Sequence, residues 1–301
     1  MAERLSFHNE IRRNKLKSVF LMVIIFIFFL VLGAVISFVL DPSYFFIIMI
    51  ISVIFSLGYI LFSYYNSDKI ALSSVGAKPA SQEAHRKFFQ AAENMSLASG
   101  LPMPRLFVMR SEQINAFASG RDPEHAVICV TTGTLEKLDK QELEGVIAHE
   151  MGHVANFDIR FMTLTAVMVG LISILAELFL RSLWFSSSDN DNRGKGAVIL
   201  IVLGIVFAIL APLFAQLVSL AISRKREFTA DATAVKFTRY PIGLRNALKK
   251  IKGEYVSQQD KHHYSKAVAP LFISDPFKKK ISGMFSTHPD VDERIRRLER
   301  M

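Results

Sequence analysis

The chain has 301 residues, of which 51% are hydrophobic, and its mean hydropathy is +0.30. An average this apolar argues against an ordinary soluble enzyme and indicates segments that cross a membrane. The formal charge of +9 would suit a nucleic-acid partner, but the basic residues stand beside long apolar runs, so we expect a membrane and no nucleic acid. The single cysteine, Cys129, excludes an intrachain disulfide and stands in an apolar stretch typical of packed core.

The amino-terminal part of the chain predicts a membrane hairpin. A basic segment, residues 1–17, precedes two uncharged runs of 23 residues each, Ser18–Leu40 and Ser43–Tyr65. A helix of about 20 apolar residues crosses a bilayer, so each run is long enough. The first run exceeds the apolar core of a cleaved signal peptide and the second follows at once, so we interpret the pair as a retained hairpin.

A candidate metal-binding motif follows in the segment Gln141–Asn156, whose apolar residues recur at helical spacing. It contains the H-E-x-x-H string of His149, Glu150 and His153. Two histidines four residues apart lie on one helix face, so both imidazoles can bind one metal ion. Glu150 is placed to take a proton from the attacking water. The string arises by chance in roughly one chain in a hundred, and two solvent-facing histidines that bind no metal would also fit it. Further ligands elsewhere in the sequence are needed to favour a metal site.

Two further apolar runs predict a second hairpin. Phe161–Phe179 is apolar apart from Glu177, and Ala197–Ile222 carries no charge over 26 residues. Because a charge inside lipid is costly, the third run also fits a buried or interfacial helix. Basic residues precede the first run and follow the fourth, so we expect both chain ends on the cytoplasmic side and the loop 182–196 on the far side.

Two carboxylates directly after the fourth run complete the candidate site. Glu227 and Asp231 stand four residues apart and share a helix face. A catalytic zinc takes three protein ligands and leaves one position for water, so we predict Glu227 as the third ligand beside His149 and His153. Asp231 is predicted to accept a hydrogen bond from a ligand ring and so orient it. In isolation Glu227 would fit a surface ion pair with Arg224 better, and the histidine motif reverses that preference in favour of the ligand.

These motifs together resemble the HtpX family of membrane zinc endopeptidases, which is related to the CAAX prenyl proteases. The similarity extends over most of the chain. It implies a zincin-type catalytic domain interrupted by a membrane hairpin, and a role in stress response and quality control of membrane proteins. The matching segments are Asn115–Gly120, Thr131–Gly133, His149–His153 with Asp158, Ser223–Glu227 with Asp231, and Thr287–Pro289 with Arg294 and Ile295.

The resemblance also implies roles for residues outside the metal motif. Asn115 lies in a region similar to the edge strand that pairs with substrate backbone, although an ordinary loop before the core strand Ala126–Val130 also fits. His288 is implied to contact substrate or the developing oxyanion, although the proline and acidic residues after it equally mark a helix start. Asp158 matches a motif position and is also placed to pair with Arg160.

We therefore predict an α+β fold that is mostly α, with a zincin-like metalloprotease domain and four transmembrane helices in two hairpins. The predicted divisions are a basic cytoplasmic amino terminus (1–17), the first hairpin (18–65), a first catalytic part (66–160), the second hairpin (161–222) and a second catalytic part (223–301).

The predicted activity is that of a Zn²⁺-dependent endopeptidase in the plasma or inner membrane, with a cytoplasmic catalytic domain. Its expected partners are the lipid bilayer and protein or peptide substrates, especially misfolded or damaged membrane proteins. A CAAX-type protease acting on prenylated tails is one rival, which would need more than four spans. A catalytically silent membrane scaffold is another, and the intact ligands and base argue against it.

Overall fold

The computed structural model describes residues 7–40, 42–168, 170–171, 204, 224–254, 271–274 and 290–301. Two long helices, α1 (Phe7–Leu40) and α2 (Phe45–Tyr65), open the chain and are joined by a 3-10 turn, Pro42–Tyr44. The elements that follow are α3 (Ser67–Ser74), β1 (Lys78–Pro79), α4 (Arg86–Ser99), β2 (Arg105–Met109), β3 (Ala116–Ser119), a 3-10 turn (Pro123–His125), β4 (Val127–Thr131), α5 (Thr132–Lys137), α6 (Lys140–Ala155), α7 (158–168), α8 (Arg224–Thr238), α9 (Pro241–Gly253) and α10 (Val291–Leu298).

The first two helices are each long and apolar enough to cross a membrane, over Ile11–Phe38 and Pro42–Tyr65. Large apolar side chains cover their outer surface, and Phe46 is 78% exposed. An exposed apolar surface of this extent requires a partner, and lipid is the one that fits its length. The first predicted hairpin therefore agrees with the helices found in the described part of the chain.

The second predicted hairpin lies mostly outside the described residues. Of the third run, residues 161–168 are helical and, apart from the half-buried Val167, buried, and Phe161 and Leu164 pack in one cluster with Leu21 and Ile25 of α1. Of the fourth run, Ala197–Ile222, only residue 204 is described. The count of four transmembrane helices therefore stays a prediction.

The sheet has four strands in the order β1-β2-β4-β3, with β2 and β4 parallel and the other two pairs antiparallel. Strand β4 is buried at every position, and its side chains alternate between two clusters. Ile128 and Val130 face a large core with α4 and α6, whereas Val127 and Cys129 face a smaller one with α3 and α7. Helices therefore cover both sheet faces, and the prediction of a mostly helical α+β fold with a small sheet is confirmed.

A short segment late in the chain adds to the open edge of this sheet. Phe272 forms an antiparallel bridge with Phe117 of β3, and the Ile273 N–H donates to the Ala116 carbonyl at 2.9 Å. Strand β3 is thus paired to β4 on one side and, in part, to residues 271–274 on the other.

Candidate metal centre

Helix α6 carries the predicted metal motif and begins at a capping box. The Asp139 carboxylate accepts from the Glu142 N–H, and the Glu142 carboxylate accepts from the Asp139 N–H, both at 2.9 Å. This reciprocal pair satisfies two amide groups at the helix start and fixes where the helix begins. From Gly145 to Ala155 every residue of α6 is buried, including His149, Glu150 and His153, so its polar side chains require partners inside the protein.

A glycine in the motif lets α8 approach α6 closely. A Cβ atom built on Gly152 would lie 3.1 Å from the Ala230 carbonyl oxygen, which is closer than ordinary contacts allow. Because the two helices touch at this point, Glu227 and Asp231 of α8 reach the histidines of α6.

Two histidines and one carboxylate converge at the centre of this contact. The Nε2 atoms of His149 and His153 lie 3.2 Å apart, and the Glu227 carboxylate oxygens lie 3.5 Å and 3.6 Å from them. Zinc–nitrogen bonds measure about 2.0–2.1 Å, so neighbouring corners of a zinc tetrahedron lie about 3.4 Å apart. The three groups are buried, and one ligand atom from each lies within 4.8 Å of the other two, so they fit one small metal ion.

Each histidine ring has a carboxylate at its other nitrogen. Asp231 Oδ1 lies 2.9 Å from Nδ1 of His149, and Asp158 Oδ2 lies 3.1 Å from Nδ1 of His153. A carboxylate in this position selects the tautomer whose Nε2 lone pair points at the metal. Asp158 does not pair with Arg160, whose Nε donates to a backbone carbonyl instead.

Arg294 is a part of this site to which the sequence analysis assigned no role. It is 1% exposed, and it donates to both Asp231 oxygens at 2.7 Å and 2.9 Å. A third nitrogen of the guanidinium lies 3.2 Å from Glu227. The available signal was its position on α10, because Arg294 falls beside Ile295 and Leu298 on the buried face of an otherwise charged helix.

The pKa values of the buried carboxylates shift in opposite directions. Burial alone would raise the pKa of Glu227, but hydrogen bonding to His149 and the Arg294 charge hold that pKa well below its usual value. Burial is outweighed in the same way at Asp231, where Arg294 lowers the pKa. At Glu150 burial prevails over the neighbouring histidines and raises the pKa. Of these three carboxylates, Glu150 therefore has the strongest tendency to carry a proton.

The protonation of His149 follows from the same contacts. Burial and the Arg294 charge both lower its pKa, but hydrogen bonds to Asp231 and Glu227 outweigh them and raise it to about 9. A metal ligand must be the neutral ring, so metal binding here displaces a proton.

Glu150 differs from the other carboxylates in its hydrogen bonding as well. Both of its oxygens are buried and form no well-aligned hydrogen bond within the described residues. The Ala118 N–H of the edge strand β3 is close enough to favour its charged form. The carboxylate thus lies near both the histidines and the backbone of β3.

The structure describes only one of the two residues predicted to contact substrate, Asn115. Asn115 is buried, and its side chain donates to the Ser274 carbonyl at 2.9 Å, so it fastens residues 271–274 to the start of β3. His288 lies outside the described residues. Substrate contact by either residue remains a prediction.

Comparison with known proteins gives a consistent family. The profile of Peptidase family M48 matches residues 80–301. The chain is 45% identical over 254 residues to a protein named Protease HtpX homolog from Thermoanaerobacter pseudethanolicus, covering 83% of this chain and 84% of that one. It is 41% identical to the homolog of the same name from Dictyoglomus thermophilum, over 98% of this chain and 95% of the other.

Similarity to solved structures is weaker. The crystal structure of S. mikatae Ste24p is 19% identical with a TM-score of 0.45, and the match covers 95% of this chain. The chain spans 65% of the length of that solved chain.

The predicted resemblance to the HtpX family is thereby confirmed on sequence. The family profile covers the residues that build the metal centre described above, from α6 through α10. From this match and the identity to near-full-length relatives, we conclude that the chain belongs to peptidase family M48 and is a metalloprotease.

Proposed function

We propose that this protein is an integral-membrane zinc endopeptidase in which His149, His153 and Glu227 hold the ion. The observation that carries the proposal is the convergence of the three side chains. The two Nε2 atoms lie 3.2 Å apart, and each lies 3.5 Å or 3.6 Å from a different oxygen of the Glu227 carboxylate, close to the ligand separations of a zinc tetrahedron. Two imidazoles and one carboxylate are a ligand set that catalytic zinc sites use.

In the proposed reaction, peptide-bond hydrolysis, the metal site and Glu150 have separate roles. A zinc ion bound here would lower the pKa of water and polarise the scissile carbonyl. Glu150 takes the proton from the attacking water on a carboxylate oxygen and passes it to the nitrogen of the leaving amine. Its raised pKa, caused by burial, suits a group that must hold that proton between the two steps.

Three further side chains position this machinery without touching the reacting atoms. Asp231 and Asp158 orient the two ligand rings through their Nδ1 atoms. Arg294 donates to both oxygens of Asp231 and so keeps that carboxylate charged and fixed.

The same contacts support a site close to the cytoplasmic membrane surface. Asn14, near the basic start of α1, donates to Asp158, so the amino end of α1 and the metal centre lie on one side of the membrane. Basic residues favour the cytoplasmic side. Asn14 precedes the uncharged run beginning at Ser18 by four residues, about 6 Å of helix.

A site this close to the membrane surface would act on polypeptide segments that emerge from the membrane or lie next to it. We therefore propose misfolded or damaged membrane proteins as substrates, cut at the cytoplasmic face. This agrees with the quality-control role that the resemblance to the HtpX family implies.

Cleavage of an unfolded protein by the purified full-length chain tests the proposal. Casein should be degraded by the protein in detergent, degradation should stop on addition of a chelator, and stoichiometric zinc should restore it. Cleavage that persists after the metal content has been shown to fall to zero would contradict a metal-dependent mechanism.

A further inference from the structure

An extended polypeptide can reach the metal centre along one edge of the sheet. In the described part of the chain, helices cover both faces of the sheet, so a further strand can join it only at an edge. The edge formed by β3 is beside the metal centre, because the Ala118 N–H lies near the Glu150 carboxylate. Strand β1 is separated from β3 by β2 and β4. A substrate whose scissile bond reaches the metal ligands would therefore lie along the outer edge of β3.

This outer edge is already occupied by residues 271–274, which we call the internal strand. Phe272 forms an antiparallel bridge with Phe117, and the two rings meet edge to face with their centroids 5.2 Å apart. The Ile273 N–H donates to the Ala116 carbonyl at 2.9 Å. The internal strand thus uses backbone groups of β3 with which a bound substrate strand would pair.

Two side chains hold the internal strand in addition to its pairing with β3. The Asn115 side chain donates to the Ser274 carbonyl at 2.9 Å, and its oxygen accepts from the Ser274 N–H at 3.4 Å. Arg294 donates to the Ile273 carbonyl at 3.2 Å. Side chains, and not a neighbouring strand, satisfy these three backbone groups, so the position of the internal strand depends on Asn115 and Arg294.

The side chains of the internal strand indicate what could take its place. Leu271, Phe272 and Ile273 are each at most 3% exposed, and they belong to the two core clusters on the faces of the sheet. Exposing them to water would cost free energy in proportion to their apolar area. A polar segment could not offset that cost, whereas an extended apolar segment would fill the same positions and pair with the same edge.

We propose that residues 271–274 are a pseudosubstrate, an internal strand that competes with extended apolar segments of substrate for the outer edge of β3. The inference rests on the proposed peptidase function of the metal centre and adds to it a means of selecting substrate. Chains that expose apolar extended segments displace the internal strand, and polar chains do not. Asn115 then holds the internal strand in place and does not contact substrate.

A reversible cross-link between the internal strand and β3 tests this. By the register of the Phe117–Phe272 bridge, Ser274 lies opposite Asn115, so cysteines at these two positions are close enough to form a disulfide. The full-length, zinc-loaded protein carries Asn115→Cys, Ser274→Cys and Glu150→Gln, so that bound peptide is not cut. The probe is a fluorescein-labelled peptide with the sequence of residues 268–277, and its binding is measured by fluorescence anisotropy in detergent.

We expect the reduced protein to bind the peptide at least about 10-fold more tightly than the oxidised protein, because the disulfide removes the state in which the edge is open. A peptide whose Leu-Phe-Ile core is replaced by Ser-Gln-Thr should not compete. The single variant Asn115→Cys, treated with the same oxidant and reductant, controls for oxidation elsewhere and should bind equally in both conditions.

Asn115→Ala, again with Glu150→Gln, gives a second test that needs no cross-link. Loss of the side chain that holds Ser274 should increase the open state, so the peptide should bind about 3-fold more tightly. A residue that contacts substrate would have the opposite effect. Asn94→Ala removes an exposed asparagine that donates to Glu144 on the other side of the domain core, and it should leave binding unchanged.

Equal binding by the oxidised and reduced proteins would overturn the proposal, because it would make residues 271–274 a permanent strand of the sheet. Weaker binding by Asn115→Ala would also overturn it and would favour contact of Asn115 with substrate. Neither measurement depends on cleavage, so failure here is distinguishable from failure of the proposed hydrolysis, which casein degradation by the unmodified protein tests.

Discussion

The side chain of Asn14 donates a hydrogen bond of 2.7 Å to Asp158, across 144 positions of sequence. Asp158 in turn faces the ring of His153, so a residue near the start of the first long helix is two contacts from a proposed metal ligand. The same amide also donates to the Asn156 carbonyl at the end of α6. Membrane helix and metal centre are therefore one connected unit rather than two modules.

Removal of the Asn14 amide should loosen the metal centre. Asn14→Ala deprives Asp158 of one of its donors, so His153 is held less firmly, and we expect zinc affinity to fall about 3- to 10-fold, less than for loss of the carboxylate itself. Competition for zinc with a fluorescent chelator measures this. Arg12→Ala, at an exposed position on the same helix, is the control, and equal affinities in both variants would show that the contact has no effect on the site.

Asp231→Ala should weaken zinc binding by roughly 10- to 100-fold, because the ring of His149 loses the carboxylate that orients it. Asp231→Asn keeps an oxygen for the ring but not the charge that faces Arg294, so its loss should be intermediate. The same competition assay ranks the three proteins. Wild-type affinity in Asp231→Ala would contradict the orienting role.

Arg294→Gln should destabilise the folded protein by about 3–5 kcal/mol, because it leaves the buried carboxylates of Asp231 and Glu227 without their cation. Arg297→Gln lies on the same helix at an exposed ion pair and should change stability by less than about 1 kcal/mol. The thermal unfolding midpoints of the two metal-free variants measure this difference in stability. Equal midpoints would mean that Arg294 is not needed to balance the buried charge.

Gly152→Ala should separate α6 from α8, because the added Cβ would meet the Ala230 carbonyl at 3.1 Å. We expect a cost of about 1–3 kcal/mol and weaker metal binding as Glu227 moves away. Gly58→Ala on α2 is the control, since its Cβ would meet nothing within 4 Å. A Gly152→Ala protein with unchanged stability and zinc affinity would disprove the close-approach argument.

Local patterns were enough to predict some of this structure. The spacing of apolar residues predicts a helix over Gln141–Asn156 and α6 spans Lys140–Ala155, because this spacing is a property of the segment itself. Uninterrupted apolar composition likewise located the first two long helices. Helix α1 nevertheless starts at Phe7, well before its apolar run, because hydropathy marks where lipid is tolerated and not where helical hydrogen bonding begins.

Contacts between distant segments could not be predicted from the sequence. Arg294 meets Asp231 across 63 positions, and residues 271–274 join the edge of β3 across more than 150. The spacing on α10 indicates that Arg294 is buried, but the partner in each pairing depends on how separate elements pack and is not encoded in either segment alone. Glu227 was predicted as a ligand from the need of zinc for a third donor, which is an argument from chemistry and not from local sequence.

The central claim is that Glu150 is the proton carrier and not a metal ligand. It is tested most directly by measuring zinc content and casein cleavage together in Glu150→Gln, with Glu227→Ala as the comparison. We predict that Glu150→Gln keeps about one zinc per chain and loses cleavage, whereas Glu227→Ala loses both. Cleavage by Glu150→Gln at a rate comparable to the unmodified protein, or its failure to hold zinc, would contradict the account.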